Sequence, residues 1–201
     1  MQSTKPYACH GPVSAGFTIL LLTALALSAG RGLAAPPEPG GFKEYQVKAA
    51  FLFNFALFVE WPEAAFSSAD APISIGVLGA DPFGTALDQA VEGETVRNRP
   101  LVVKRSRKVD DLKTCHVVFV CKSERPQLDQ ILAGLSASGI LTVGDIPDFA
   151  RRGGCVGFYL DGNKVRFEIN ASAARKKNLK LCPQLLSLGK IVGPASDKEN
   201  P

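Results

Sequence analysis

The sequence predicts a single α/β domain of three layers: a mostly parallel sheet with an antiparallel hairpin at one edge and helices on both faces. Three observations predict it. Short apolar runs, 73–78, 99–105, 117–121 and 140–143, alternate with segments of helical character, as buried parallel strands joined by crossover helices do. Two later runs, 155–160 and 164–169, are separated only by Asp161-Gly162-Asn163, a strong hairpin signal. The stretch 42–192 is long enough for one domain with its own core.

Each element has its reason. Half of the aromatic residues lie between Phe42 and Phe66, in a run without a helix breaker until Pro62. Val47, Phe51, Phe55 and Phe58 recur at helical spacing, with Ala50, Phe53 and Leu57 on the adjoining face. A helix this apolar is expected to bury itself in the core or in an assembly, with Phe51, Phe55, Phe58 and Trp61 packed there. After the 73–78 strand, Asp81 and Pro82 suit the N-cap and first turn of a helix to about Val91. Pro100 opens the next strand. Ser123 is expected to cap a helix to about Ala137, and Asn170 one over 171–177. Within 164–169, Val165, Phe167 and Ile169 should face inward, with Arg166 and Glu168 outward. An amphipathic helix over about 183–191 is expected to close the domain.

The ends read differently. Residues 1–35 are expected to be a cleaved signal peptide: Lys5, an apolar run from Phe17 to Ser28, then small residues to Ala35. That run is too short to span a bilayer. Pro36 to Gly41 is a lead-in without packing capacity, and 193–201 a disordered tail. The leader carries Lys5 and Arg31 and no acid, so the formal charge of +4 falls to about +2 without it. No basic run is long enough to suggest nucleic acid; Lys104 to Lys108 reads as a solvated strand edge.

Chemistry is sparse. His116, beside a strand, reads as a structural, hydrogen-bonded histidine. Gly79 to Gly84 lacks the Lys-Ser/Thr of a phosphate loop and reads as a tight turn whose helix terminus could accept an anion. Asp145 and Asp148 read as turn and cap residues. No nucleophile–base pair, metal cluster or cofactor motif is present, so an enzyme is not expected. Lys48 and Asn54 interrupt the apolar helix and need partners. Arg97, Arg99, Arg151 and Arg166 with Glu168 could form one anion- or partner-binding surface, the alternative being solvent-facing ion pairs. Cys115, Cys121, Cys155 and Cys182 admit two disulfides, pairing 115–155 with 121–182 or 115–182 with 121–155, or stay as buried thiols.

Several segments together resemble the YfiR family: Glu44 to Phe51 with Asn54-Phe55 and Phe58-Val-Glu-Trp-Pro62, Cys115 to Phe119, Leu141 to Phe149, and Val165-Arg-Phe-Glu-Ile-Asn170. The resemblance continues through Arg151 to Gly154 and the leucines up to Ile191, nearly the whole chain without its leader. It implies a periplasmic, non-enzymatic, dimeric regulator that represses a membrane diguanylate cyclase through the cyclase's periplasmic sensing domain. It also implies relief by an outer-membrane lipoprotein and disulfides that affect stability. Some members of the family accompany sensor kinases or transport receptors. That leaves a second expectation, a receptor for an anionic metabolite or nucleotide. One family disulfide joins the first and third sheet strands. Here the first strand has only Ile75-Gly76-Val77 at that place, so Cys115 cannot form the same bond.

Overall fold

A computed structural model describes residues 40–193, with side chains from Lys43 onward. The expected leader, most of the lead-in and nearly all of the expected tail lie outside the described residues. Helix α1 (Gly40–Phe58) runs without interruption and takes up Gly40 and Gly41, which the sequence assigned to the lead-in. It gives way to β1 (Val59–Glu60) just before Pro62, and a 3₁₀ turn over Glu63–Ala65 follows. The remaining elements are β2 (Ile73–Leu78), α2 (Ala86–Val91), β3 (Thr95–Val96), β4 (Arg99–Ser106), β5 (Val117–Val120), α3 (Leu128–Gly134), β6 (Leu141–Gly144), β7 (Val156–Asp161), β8 (Lys164–Ile169), α4 (Ala171–Lys176), β9 (Lys180–Leu181), α5 (Pro183–Leu188) and β10 (Lys190–Ile191).

Eight strands form one sheet in the order β10-β8-β7-β6-β5-β2-β4-β3. From β7 to β4 every neighbouring pair is parallel. The β7–β8 hairpin is antiparallel, as its Gly162 turn (φ +59°) requires. It is not the outermost element, because β10 adds a parallel strand beyond it. A second antiparallel pair, β3–β4, closes the other edge. β1 and β9 pair separately.

Alternate residues of the buried strands supply two cores. Ile75, Val77, Val117 and Phe119 face α1, α2 and α5; Val118 and Val120 face α3. This is the predicted three-layer arrangement. The buried face of α1 is Lys48, Ala49, Leu52, Phe55 and Ala56, continued by Val59 of β1. It is turned from the expected stripe: Val47 is 44% exposed, and Phe51 and Phe58 flank the core rather than fill it. Phe51, Phe55, Phe158 and Phe167 form one ring cluster, with centroids 5.3–6.3 Å apart.

Three expected helix boundaries move for local reasons. Asp81 does not cap α2. Its Oδ1 accepts from the Phe83 N–H at 2.7 Å in a turn, Gly84 adopts φ +55°, and the helix begins only at Ala86. Ser123 does not cap α3. A 3₁₀ segment, Lys122–Gln127, containing Pro126 precedes that helix, and the Ser123 hydroxyl accepts from the Ala80 N–H across the strand ends. The last helix stops at Leu188, and Gly189 leads into β10. Asn170 caps α4 as expected, accepting from the Ala173 N–H at 2.9 Å.

Candidate functional site

At the carboxyl ends of β2, β5 and β6, a polar cluster lies beneath the first turns of α1. Asp145 follows β6 directly. The ring of Phe149 folds back over Gly144 and Gly154, where a Cβ would come within 2.6 and 2.1 Å of it, so this turn can be made only above glycines. The turn leaves the Asp145 side chain 2% exposed, beneath the helix. Tyr45 donates its hydroxyl hydrogen bond to Asp145 Oδ2 at 2.7 Å, and Lys48 Nζ donates to the same oxygen at 2.7 Å. Lys48 also donates to Glu44, one turn back, and its ammonium lies 4.3 Å from the centroid of the Tyr45 ring. Lys122, half out in solvent, brings Nζ to 3.6 Å from Asp145 Oδ2.

The cluster thus holds two ammonium groups and two carboxylates, a balanced set, which is what makes burial of the Lys48 charge tolerable. Asp145 Oδ1 has no hydrogen-bond partner within the described residues. Desolvation, and then the Asp145 hydrogen bond and charge, push the Tyr45 phenol above its ordinary range. Cys121, at the end of β5, is pushed up to about 12, chiefly by burial and then by Asp145 and Asp81. At that value the thiol stays protonated and unreactive.

A second cluster lies at the amino ends of the strands. Trp61 is buried and donates from Nε1 to the His116 carbonyl at 3.2 Å. The imidazole is stacked on Phe66 at 4.5 Å and meets the Trp61 ring edge-on at 5.9 Å. His116 Nδ1 accepts from the Ser74 N–H at 3.1 Å, with the Ser74 hydroxyl at the same distance. This is the structural histidine expected from the sequence.

The structure brings Lys48 and Trp61 into these clusters, whereas Asn54 is half-buried farther along α1. The arginines do not meet in one surface. Arg97 sits in the left-handed turn between β3 and β4 (φ +52°) and donates to the Val59 carbonyl. Arg99 donates to the carbonyls of Ser68 and Ala71 and covers the Phe66 ring at 3.8 Å. Five strand spacings, roughly 24 Å, separate β4 from β8. On β8, Arg166 pairs with Asp161 at 2.8 Å, and Glu168 pairs with Arg151 and Lys190. The expected common anion surface is therefore not formed.

The Gly79–Gly84 turn is equally committed: Ser123 takes the Ala80 N–H, Asp81 takes that of Phe83, and Arg105 joins Asp81 and Asp88. It offers acids, not an anion cradle. Cys115, Cys121 and Cys155 are free, buried thiols, so neither expected pairing is made. Cys115 belongs to the core on one face, and Cys121 and Cys155 to the core on the other, where Cys121 follows the end of β5 and Cys155 precedes the start of β7, two strand spacings or roughly 10 Å across the sheet. Cys182 is buried at the start of α5.

Asp145, Tyr45 and Glu44 are the site residues that reading the sequence missed. Lys48 was the signal that could have found them, since an ammonium on an apolar helix demands carboxylates, and Glu44 stands four residues before it.

Between the start of α1 and the β7–β8 hairpin runs an open groove. Val47, Phe51, Leu160 and Val165 line it, with Lys43 and Lys164 at its rim. Leu160 is 52% exposed. No helix among the described residues is long and apolar enough to cross a membrane, and no group of three His, Cys, Asp or Glu there could hold a metal ion.

The described residues form an α/β domain with two buried polar clusters and an exposed apolar groove. The YfiR/HmsC-like family model matches residues 45–190, and the chain belongs to that family, a regulatory, non-catalytic and periplasmic one tied to diguanylate cyclase signalling. Among curated proteins none matches. Among solved structures, the crystal structure of a conserved domain protein from Vibrio cholerae O1 biovar El Tor matches with a TM-score of 0.48 and 11% identity, over 73% of this chain. The match covers 59% of that protein, so the chain spans less than two thirds of its length.

Proposed function

We propose that this chain is a periplasmic inhibitor that restrains a membrane-bound diguanylate cyclase by direct contact with the cyclase's periplasmic sensing domain. Family membership over residues 45–190 is the observation that carries the reading. The groove supports it: Val47 and Leu160 present apolar surface to solvent, with Lys43 and Lys164 flanking it, and such anchored, charge-rimmed surfaces suit protein partners. The separation of the arginines removes the main support for an anionic-metabolite receptor.

The test is titration calorimetry of the purified chain against the periplasmic segments of the membrane diguanylate cyclases of its host. Binding is expected, with a loss of at least about tenfold, or about 1.4 kcal/mol, in Val47→Asp/Leu160→Asp. Both positions are exposed, so the fold should survive. Absence of binding sinks the reading; unchanged affinity in the double variant moves the contact away from the groove.

A further inference from the structure

We infer that His116 is an acid-sensitive clasp, and that its protonation releases the strap 61–71 from the amino ends of the strands. The strap joins β1 to β2 and has little hydrogen bonding of its own beyond short turns. Arg99 holds its far end through the Ser68 and Ala71 carbonyls, and two rings hold the near end on one histidine: Phe66 stacks on the imidazole, and Trp61 lies edge-on to it while bonding its carbonyl. At the strap's middle, Ala65 lies against Gly139, where a Cβ would come within 2.9 Å of it.

The clasp is built for the neutral ring. A backbone N–H, that of Ser74, points at Nδ1, which must therefore be an acceptor, leaving the proton on Nε2. Nε2 is buried without a partner. A second proton would have to sit on Nδ1, where it meets the Ser74 N–H donor to donor and could keep only the Ser74 hydroxyl oxygen as acceptor.

The surroundings offer such a cation little relief: the Ala65 backbone and the Ser74 hydroxyl favour it, and burial outweighs them. From β4, Arg99 adds like charge across the Phe66 ring. From β2 comes only the neutral Ser74, and next in sequence is Cys115, whose thiol burial pushes above its ordinary pKa. The strap contributes Trp61, Phe66 and the Ala65 backbone, while its two acids, Glu63 and Asp70, are exposed. Burial first, with Arg99 acting the same way and the Ala65 backbone opposing, lowers the His116 pKa from its ordinary value. Acid therefore acts on the open form first. With the strap lifted, the ring gains its proton at an ordinary pH and is held off the neutral seat.

The chain carries its own reporter, because Trp61 is its one tryptophan. Trp61 emission is followed on the intact chain from neutral pH downward, with far-UV circular dichroism as the check on the fold. The expected result is a reversible red shift, centred below about pH 6.5, at constant far-UV signal. It should vanish in His116→Asn, whose amide oxygen can still accept from Ser74 but cannot gain a proton. Emission unchanged to roughly two pH units below that value, or a red shift that persists in His116→Asn, overturns the clasp.

Should His116→Asn fail to fold, amide hydrogen exchange on the wild-type chain decides. Corrected for intrinsic rate, opening at Ser74 should grow at least tenfold more than at Ile75 on acidification. Equal changes at the two amides contradict it.

Discussion

At the carboxyl ends of the strands, α1 is fastened by charge, with Lys48 between Glu44 and Asp145 and the Tyr45 hydroxyl closing the set. At the amino ends, the segment leaving α1 is fastened without an ion pair, by Trp61 and Phe66 on a neutral imidazole and by Arg99 on backbone carbonyls. Both fastenings are buried and join residues far apart in sequence. They differ in how they fail. The ion cluster depends on every member, since removing one carboxylate strands a buried ammonium. The aromatic clasp loses contact area in proportion to what is cut away, and its weak point is a proton.

The sharpest way to break this contrast is Asp145→Ala. Lys48 then keeps only Glu44 at its buried position, and urea unfolding should show a loss of about 3–5 kcal/mol. Lys48→Met/Asp145→Leu should recover most of it, because the charge leaves with its partner. A double variant as unstable as the single one would mean that the cluster acts through shape rather than charge.

Next in size is Trp61→Ala, which should cost about 3 kcal/mol, the low end for a buried tryptophan, because the ring edge stays in reach of solvent. A melting temperature equal to that of the wild type would show that the strap does not depend on this ring.

Tyr45→Phe separates hydrogen bond from packing. The ring meets Phe83 edge-on at 5.4 Å and should keep that contact, so the loss of about 1.5 kcal/mol belongs to the bond donated to a carboxylate. The smallest effect is expected on β8, outside both clusters. Arg166→Ala breaks an exposed pair with Asp161 and should move stability by less than about 0.5 kcal/mol.

How much of this could be read in the sequence depended on how local the determinant was. Strand runs, the Asp-Gly hairpin and the Asn170 cap are written within a few residues, and the structure has them where expected. Asp145 was not legible as a site residue. Its neighbours Ile146 and Pro147 describe a turn, and only the fold brings Lys48, 97 residues away, onto it. The arginines failed for the same reason. Their scatter follows from a strand order that places β4 and β8 on opposite sides of the sheet's centre, and nothing near Arg99 or Arg166 encodes that order. The cysteine pairings failed because the sheet stands between Cys115 and the others, while Cys121 and Cys155 sit at opposite ends of strands two places apart. Asp81 shows a subtler miss: the Asp-Pro signal was real, but its hydrogen bond closed a turn, and Gly84 postponed the helix.

Charge cluster and clasp together set the position of α1, one wall of the groove assigned to the partner. The most direct test of that assignment is cellular cyclic di-GMP in the host bacterium with the gene deleted, then restored as wild type or as Val47→Asp/Leu160→Asp. The account predicts a rise on deletion, a return to the original level with the wild type, and a level that stays high with the double variant. A deletion that leaves cyclic di-GMP unchanged, or lowers it, would contradict an inhibitory role.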